Sequence, residues 1–185
     1  MISSTIRKAF GFVLAAVAVT GAAPPAGAAD SAVIIMYHRF DETAYPSTNI
    51  TLDQFESHIR ELKSGPYAVL PLPEIVARLR DGRPLPERTV GLSVDDAYLS
   101  AYTEAWPRLK AAGLPMTLFV ATRAVDRKLS GIMTWQQIRE LATDGVSIGS
   151  QTETHLHMPD AGEARNRQEI ERSNGRFITE LGRAP

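Results

Sequence analysis

Apolar positions along the chain fall into short continuous blocks separated by stretches with helical spacing. Val33-Ile34-Ile35-Met36 is an uninterrupted apolar run, which predicts a strand buried on both faces. Thr51-Leu52-Asp53-Gln54 has the form of a capping box, and Leu52, Phe55, Ile59 and Leu62 then share one helical stripe. Tyr67 to Leu70 reads as a second strand, Glu74 to Arg80 as a short helix after Pro73, and Asp81 to Pro84 as a turn. Thr89 to Val94 is a third strand. A helix from about Leu99 to Ala112 follows, kinked or restarted at Pro107. Met116 to Val120 is a fourth strand, Thr134-Trp135-Gln136-Gln137 opens another helix with a second capping box, and Val146 to Gly149 is a fifth strand. Glu163 to Leu181 is an amphipathic helix whose apolar side is expected at Ile170, Phe177, Ile178 and Leu181.

Strands alternating with helices of this length imply βα units with parallel pairing and right-handed crossovers, as in a (β/α) barrel or an open doubly wound sheet. Both architectures gather their chemistry at the C-terminal ends of the strands. Three predicted strand ends carry polar residues of ligand type: Tyr37-His38, Asp95-Asp96, and Gln151 to His155.

Composition narrows the field. The chain has 185 residues, enough for one ordinary domain, with 44% hydrophobic and 22% charged residues, a globular balance. A net charge of -1 argues against a nucleic-acid binder, which needs a basic face. The absence of Cys excludes disulfides, thiol nucleophiles and Cys-based zinc sites. Arg7 and Lys8, the apolar run from Ala9 to Val19 and the small residues Ala26-Gly27-Ala28 together read as a signal peptide over residues 1–28. The expectation is export to the periplasm or medium, with no stable membrane span after cleavage.

Asp95-Asp96 closes an apolar strand. Two adjacent carboxylates repel each other and add nothing to a core. The pair reads either as helix N-capping residues or as one metal ligand beside one proton acceptor. His155 lies four residues after Gln151, so one helical turn would aim both at a single point. His155 is a candidate imidazole ligand, with a satisfied, partly buried ring as the alternative. His157, two residues further on, points elsewhere in a helical turn and reads as structural.

Ser93-Val94-Asp95-Asp96 resembles the Thr/Ser-Phe-Asp-Asp motif of the polysaccharide deacetylase family (the NodB homology domain, carbohydrate esterase family 4). Gly149-Ser150-Gln151-Thr152-Glu153-Thr154-His155 resembles its His-Ser/Thr-x-x-His motif. The segments 105–109 and 112–120 between them, and Met36-Tyr37-His38-Arg39-Phe40, are similar to the family as well. The resemblance spans residues 32–185, and residues 29–185 are expected to form a NodB-like domain without its C-terminal part. It implies an incomplete (β/α) barrel of the distorted seven-stranded type, with about five parallel strands. It also implies a hydrolase removing N-acetyl or O-acetyl groups from an N-acetylated polysaccharide or oligosaccharide. By the same resemblance Asp95 is the general base, and Asp96, His155 and Gln151 hold Zn²⁺ or another divalent transition metal.

The chain departs from the family pattern at three places. Gln151 stands where the family has its leading metal His, and an amide oxygen is a weaker donor than imidazole, so metal binding is expected to be weaker or altered, with His38 or His157 as substitute ligands. Ala97 stands where Gly is usual. Of the later motifs, only Arg183-Ala184-Pro185 matches a beginning, that of Arg-x-Pro. A catalytically impaired, glycan-binding relative is therefore the alternative function.

Overall fold

The computed structural model describes residues 28–185; the expected signal peptide lies almost entirely outside the described residues. Five parallel strands form one sheet: β1 (Val33–Tyr37), β2 (Ala68–Val69), β3 (Thr89–Val94), β4 (Thr117–Val120) and β5 (Ser147–Ser150). The path runs β1-β3-β4-β5, with β2 also on β3. Val33 lies opposite Val90 and Tyr37 opposite Val94; Ser93 faces Thr117, and Val120 faces Ser150. Among the described residues the sheet does not close on itself, in line with an incomplete barrel of about five strands.

Helices α1 (Leu52–Ser64), α2 (Leu72–Arg80), α3 (Trp106–Ala112), α4 (Thr122–Asp126), α5 (Trp135–Thr143) and α6 (Glu163–Leu181) connect and flank the strands. Both expected capping boxes form: Thr51 and Thr134 accept from the amides of Gln54 and Gln137, whose side chains bond back to the cap backbones. Phe55 and Leu62 of α1 enter the core. There the Phe55 ring meets Phe40 at 4.7 Å and Tyr37 at 5.3 Å, both edge-on. Pro107 leaves its mark as expected. It sits in the first turn of α3, and the segment before it, Ala101–Ala105, is wound as a π-helix in which the Trp106 amide reaches back to the Ala101 carbonyl. A proline has no N–H to continue the regular ladder, and a wider turn absorbs the break.

All six residues of β3 are buried, as suits the strand with neighbours on both edges. Gly91 at its centre is a close-approach position: a Cβ there would stand 2.5 Å from Leu72 Cδ1 and 2.8 Å from Ile34 Cδ1. Its absence lets α2 settle onto the sheet.

Two sequence expectations are corrected here. β1 is not buried on both faces: Val33 is 63% and Met36 59% exposed, because among the described residues β1 pairs only with β3, and α1 packs on it at Tyr37, its C-terminal end. A continuous apolar run reports how a strand is composed, not where in the sheet it lies. In α6 the expected apolar side holds for Phe177 and Leu181 and fails for the two isoleucines. Ile170 and Ile178 are exposed, and the buried face is Glu169, Ser173 and Phe177. Phe177 packs edge-on against Trp135 at 5.7 Å, while Ser173 bonds to Ser150, the last residue of β5, and Glu169 to Thr154 in the loop after it.

Candidate active site

The three polar strand ends converge. β3 carries the chain into Asp95, whose backbone N–H donates to the Tyr37 carbonyl at the end of β1 (2.9 Å). The next amide, of Asp96, donates to Gln151 Oε1 (3.0 Å), which ties the end of β3 to the end of β5. His155 completes the set, with its Nε2 3.4 Å from Asp96 Oδ1. The imidazole is 61% exposed and the carboxylate 24%, so the pair sits at the mouth of the site rather than in the core.

The backbone is wound to make this possible. Asp96 and Ala97 have φ of +70° and +53°, and Thr152 and His155 have φ of +64° and +58°. Residues with a Cβ visit this left-handed region at a cost, and such positions persist only where surrounding bonds fix them. The Asp96 amide to Gln151 bond is one such brace. Another is Leu156 N–H to Thr152 Oγ1 (3.2 Å). The segment 151–155 is therefore a turn and not the helical turn expected from the spacing. Gln151 and His155 meet Asp96 because two residues adopt left-handed backbone, which spacing alone does not reveal. The N-capping alternative for Asp95-Asp96 also falls: the next helical segment begins at Leu99, beyond both carboxylates.

Burial pushes the Asp95 carboxyl above its ordinary range. His38 opposes that rise, Asp96 adds to it, and His155 and a hydrogen bond from Gln151 oppose it. His38 thus lies close enough to act on Asp95, whereas His157 turns away and pairs with Asp160 through Nδ1 (2.7 Å) in solvent.

The donor chemistry can be tested against a cation. Two atoms bound to one tetrahedral zinc at about 2.0–2.1 Å stand roughly 3.3–3.4 Å apart, and Asp96 Oδ1 and His155 Nε2 have that separation. The Gln151 amide oxygen spends one lone pair on the Asp96 N–H and retains a second. Among the described residues, no group of three or more His, Asp, Glu or Cys side chains gathers within reach of one ion. Asp96 and His155 fit two positions around a divalent cation, and Gln151, tied to the Asp96 backbone, is the neighbouring neutral donor, a weaker set than two imidazoles and a carboxylate give.

A cleft of about 520 Å³ opens beside Asp96 and His155, with Arg39, Tyr98, Arg123 and Arg127 on its walls. Arg39 is stacked between two rings, 3.5 Å from the Tyr98 centroid and 3.8 Å from that of Tyr45, and pairs with Glu42. Glu42 in turn accepts from Ser100 Oγ (2.6 Å). A planar guanidinium between aromatic faces is held rigidly. The sequence reading missed this stack; the residues lie 53 positions apart between Tyr45 and Tyr98, and only the fold brings them together.

Comparison with known proteins adds the last observation. A family model described as polysaccharide deacetylase matches residues 82–185. YxkH of Bacillus subtilis (strain 168) is 30% identical over 125 residues, covering 68% of this chain and 43% of its own length. The poly-beta-1,6-N-acetyl-D-glucosamine N-deacetylase of Escherichia coli (strain K12) is 30% identical over 127 residues, covering 60% of this chain and 19% of its own length. The chain thus spans less than half the length of these relatives. Among solved structures, IcaB from Ammonifex degensii superposes with a TM-score of 0.72 at 25% identity, covering 85% of this chain and 72% of that one. The Streptococcus pyogenes deacetylase PplD, solved with acetate, shares the fold with a TM-score of 0.74 at 24% identity, over 82% of this chain and 70% of its own. The family match runs through the end of β3 and the whole of the His155 turn, and on that ground the chain belongs to the polysaccharide deacetylase family.

Proposed function

We propose that this chain hydrolyses the acetamide of N-acetylated sugar units in a polysaccharide, releasing acetate and leaving a free amine. In this reading Asp95 is the general base. Asp96 and His155, with the second lone pair of Gln151 Oε1, hold a divalent transition metal. Such an ion, when bound, polarises the acetamide carbonyl and acidifies a water molecule. Asp95 takes the proton from the attacking water while a C–O bond forms at the carbonyl carbon. Breaking the C–N bond then requires a proton on the departing nitrogen, and protonated Asp95 is the adjacent donor. A carboxyl raised by burial suits both halves of that exchange, since its proton is held more firmly than that of a solvated carboxylate. The cleft beside His155 offers room for a sugar unit, and Tyr98, its ring stacked on Arg39, stands on its wall.

The observation that carries the proposal is the 3.4 Å approach of Asp96 and His155 beside a half-buried Asp95. The names of the relatives, which include a poly-beta-1,6-N-acetyl-D-glucosamine N-deacetylase, support the substrate class. An exported location follows from the signal-peptide reading of residues 1–28. One structural feature favours a second reading, a glycan-binding relative of low activity: the Gln151 oxygen is already engaged by the Asp96 amide. Acetate release from N-acetylglucosamine oligomers, with and without added Zn²⁺ or Co²⁺, separates the two. Metal-stimulated release that falls by at least about a hundredfold in Asp95→Asn supports the enzyme. Oligomer binding with no acetate at any metal concentration supports the binding protein.

A further inference from the structure

We propose that Glu169 is the positioning residue for His155. Its carboxylate is 0% exposed, a costly place for a charge unless every oxygen is engaged. Oε2 accepts the backbone N–H of Thr154 (2.7 Å), while Oε1 accepts the Thr154 hydroxyl (2.9 Å) and the Arg165 guanidinium (2.6 Å). Two of the three bonds go to the one residue that immediately precedes His155. One turn further along α6, Ser173 Oγ bonds Ser150 Oγ (2.7 Å), and Ser150 Oγ accepts the Thr152 amide (3.0 Å). Both ends of the turn that presents His155 are therefore pinned to the same helix face.

That turn needs pinning. It contains two non-glycine residues in left-handed backbone, Thr152 and His155 itself, and a free chain does not stay there. Bonds to a carboxylate are stronger than those between neutral groups. Glu169 fixes the Thr154 peptide, and the peptide sets where the exposed imidazole of His155 stands relative to Asp96. A simple staple of helix to sheet needs no charge, and Phe177, eight residues on along the same face, already supplies apolar packing.

This inference rests on the reading of His155 as a metal ligand, and its test separates the two. Co²⁺ alone is titrated into the full chain and into Glu169→Gln, Thr154→Val and Phe177→Leu. The His155 imidazole proton resonance is followed in each metal-free protein. Gln in place of Glu169 sets an amide donor against a donor. Cobalt affinity is expected to fall about tenfold in Glu169→Gln and a few-fold in Thr154→Val, with the resonance displaced in both. Phe177→Leu lowers the melting temperature and leaves affinity and resonance unchanged. Should Glu169→Gln not fold, Thr154→Val carries the comparison. Unchanged affinity and resonance in the Glu169 and Thr154 variants overturn the positioning role. A parent chain that binds no cobalt overturns the metal reading, and the resonance then decides for or against Glu169 on its own.

Discussion

Replacing Gln151 by His is the most direct challenge to the proposed centre. The substitution removes the bond from the Asp96 amide to Gln151 Oε1 at 3.0 Å, a loss of about 1 kcal/mol. Against it stands a new imidazole donor beside Asp96 and His155. Four-ligand zinc sites bind with about 10–16 kcal/mol, or roughly 3 kcal/mol for each ligand. The imidazole replaces a weaker neutral donor, the Gln151 oxygen, so a net gain of about 2 kcal/mol remains, or about thirtyfold in affinity, while the lost backbone bond lowers the melt instead. Calorimetric titration of Zn²⁺ or Co²⁺ into the metal-free parent and Gln151→His proteins at neutral pH measures it. A thermal melt by circular dichroism shows whether the fold is kept. Equal or weaker affinity in a variant that still melts cooperatively would refute the assignment of position 151 to the coordination shell. It would leave Gln151 as a brace for the left-handed Asp96 backbone and nothing more.

Other consequences reach beyond the metal. Burial pushes the Tyr37 phenol up to about 12, so the folded state holds the proton that the unfolded chain gives up near 10; stability from this group is complete below pH 10 and is lost as pH rises towards 12. Urea midpoints at pH 8 and pH 11 should fall further in the parent than in Tyr37→Phe, which itself costs about 1 kcal/mol at pH 8 through the lost hydroxyl bond to His58. Gly91→Ala brings a methyl group within 2.5 Å of Leu72 and 2.8 Å of Ile34 and is expected to cost about 1–3 kcal/mol, read as a lower melting temperature. Met36→Lys places a charge on the exposed face of the edge strand β1; light scattering should show less concentration-dependent association than in the parent, with little change in the melt.

The local signals were legible without coordinates. Both capping boxes, the boundaries of β3 and α6, the break at Pro107 and the five-strand count follow from residue spacing, because each is decided within one or two turns of chain. The convergence of positions 38, 95–96 and 151–155 was also readable, because parallel βα units place successive strand ends on one side of the sheet. Tertiary structure alone decided how that convergence is achieved. The left-handed backbone at Asp96, Ala97, Thr152 and His155 leaves no periodic trace in a sequence. The exposure of β1 depends on what lies beside it, and an apolar run carries no record of its neighbours. The polar stripe of α6 looks like a solvated face until a loop is known to lie across it. Glu169 and Ser173 are buried because their partners, Thr154 and Ser150, arrive from another part of the chain. Long-range hydrogen bonds have no spacing rule, and this site is held together by them.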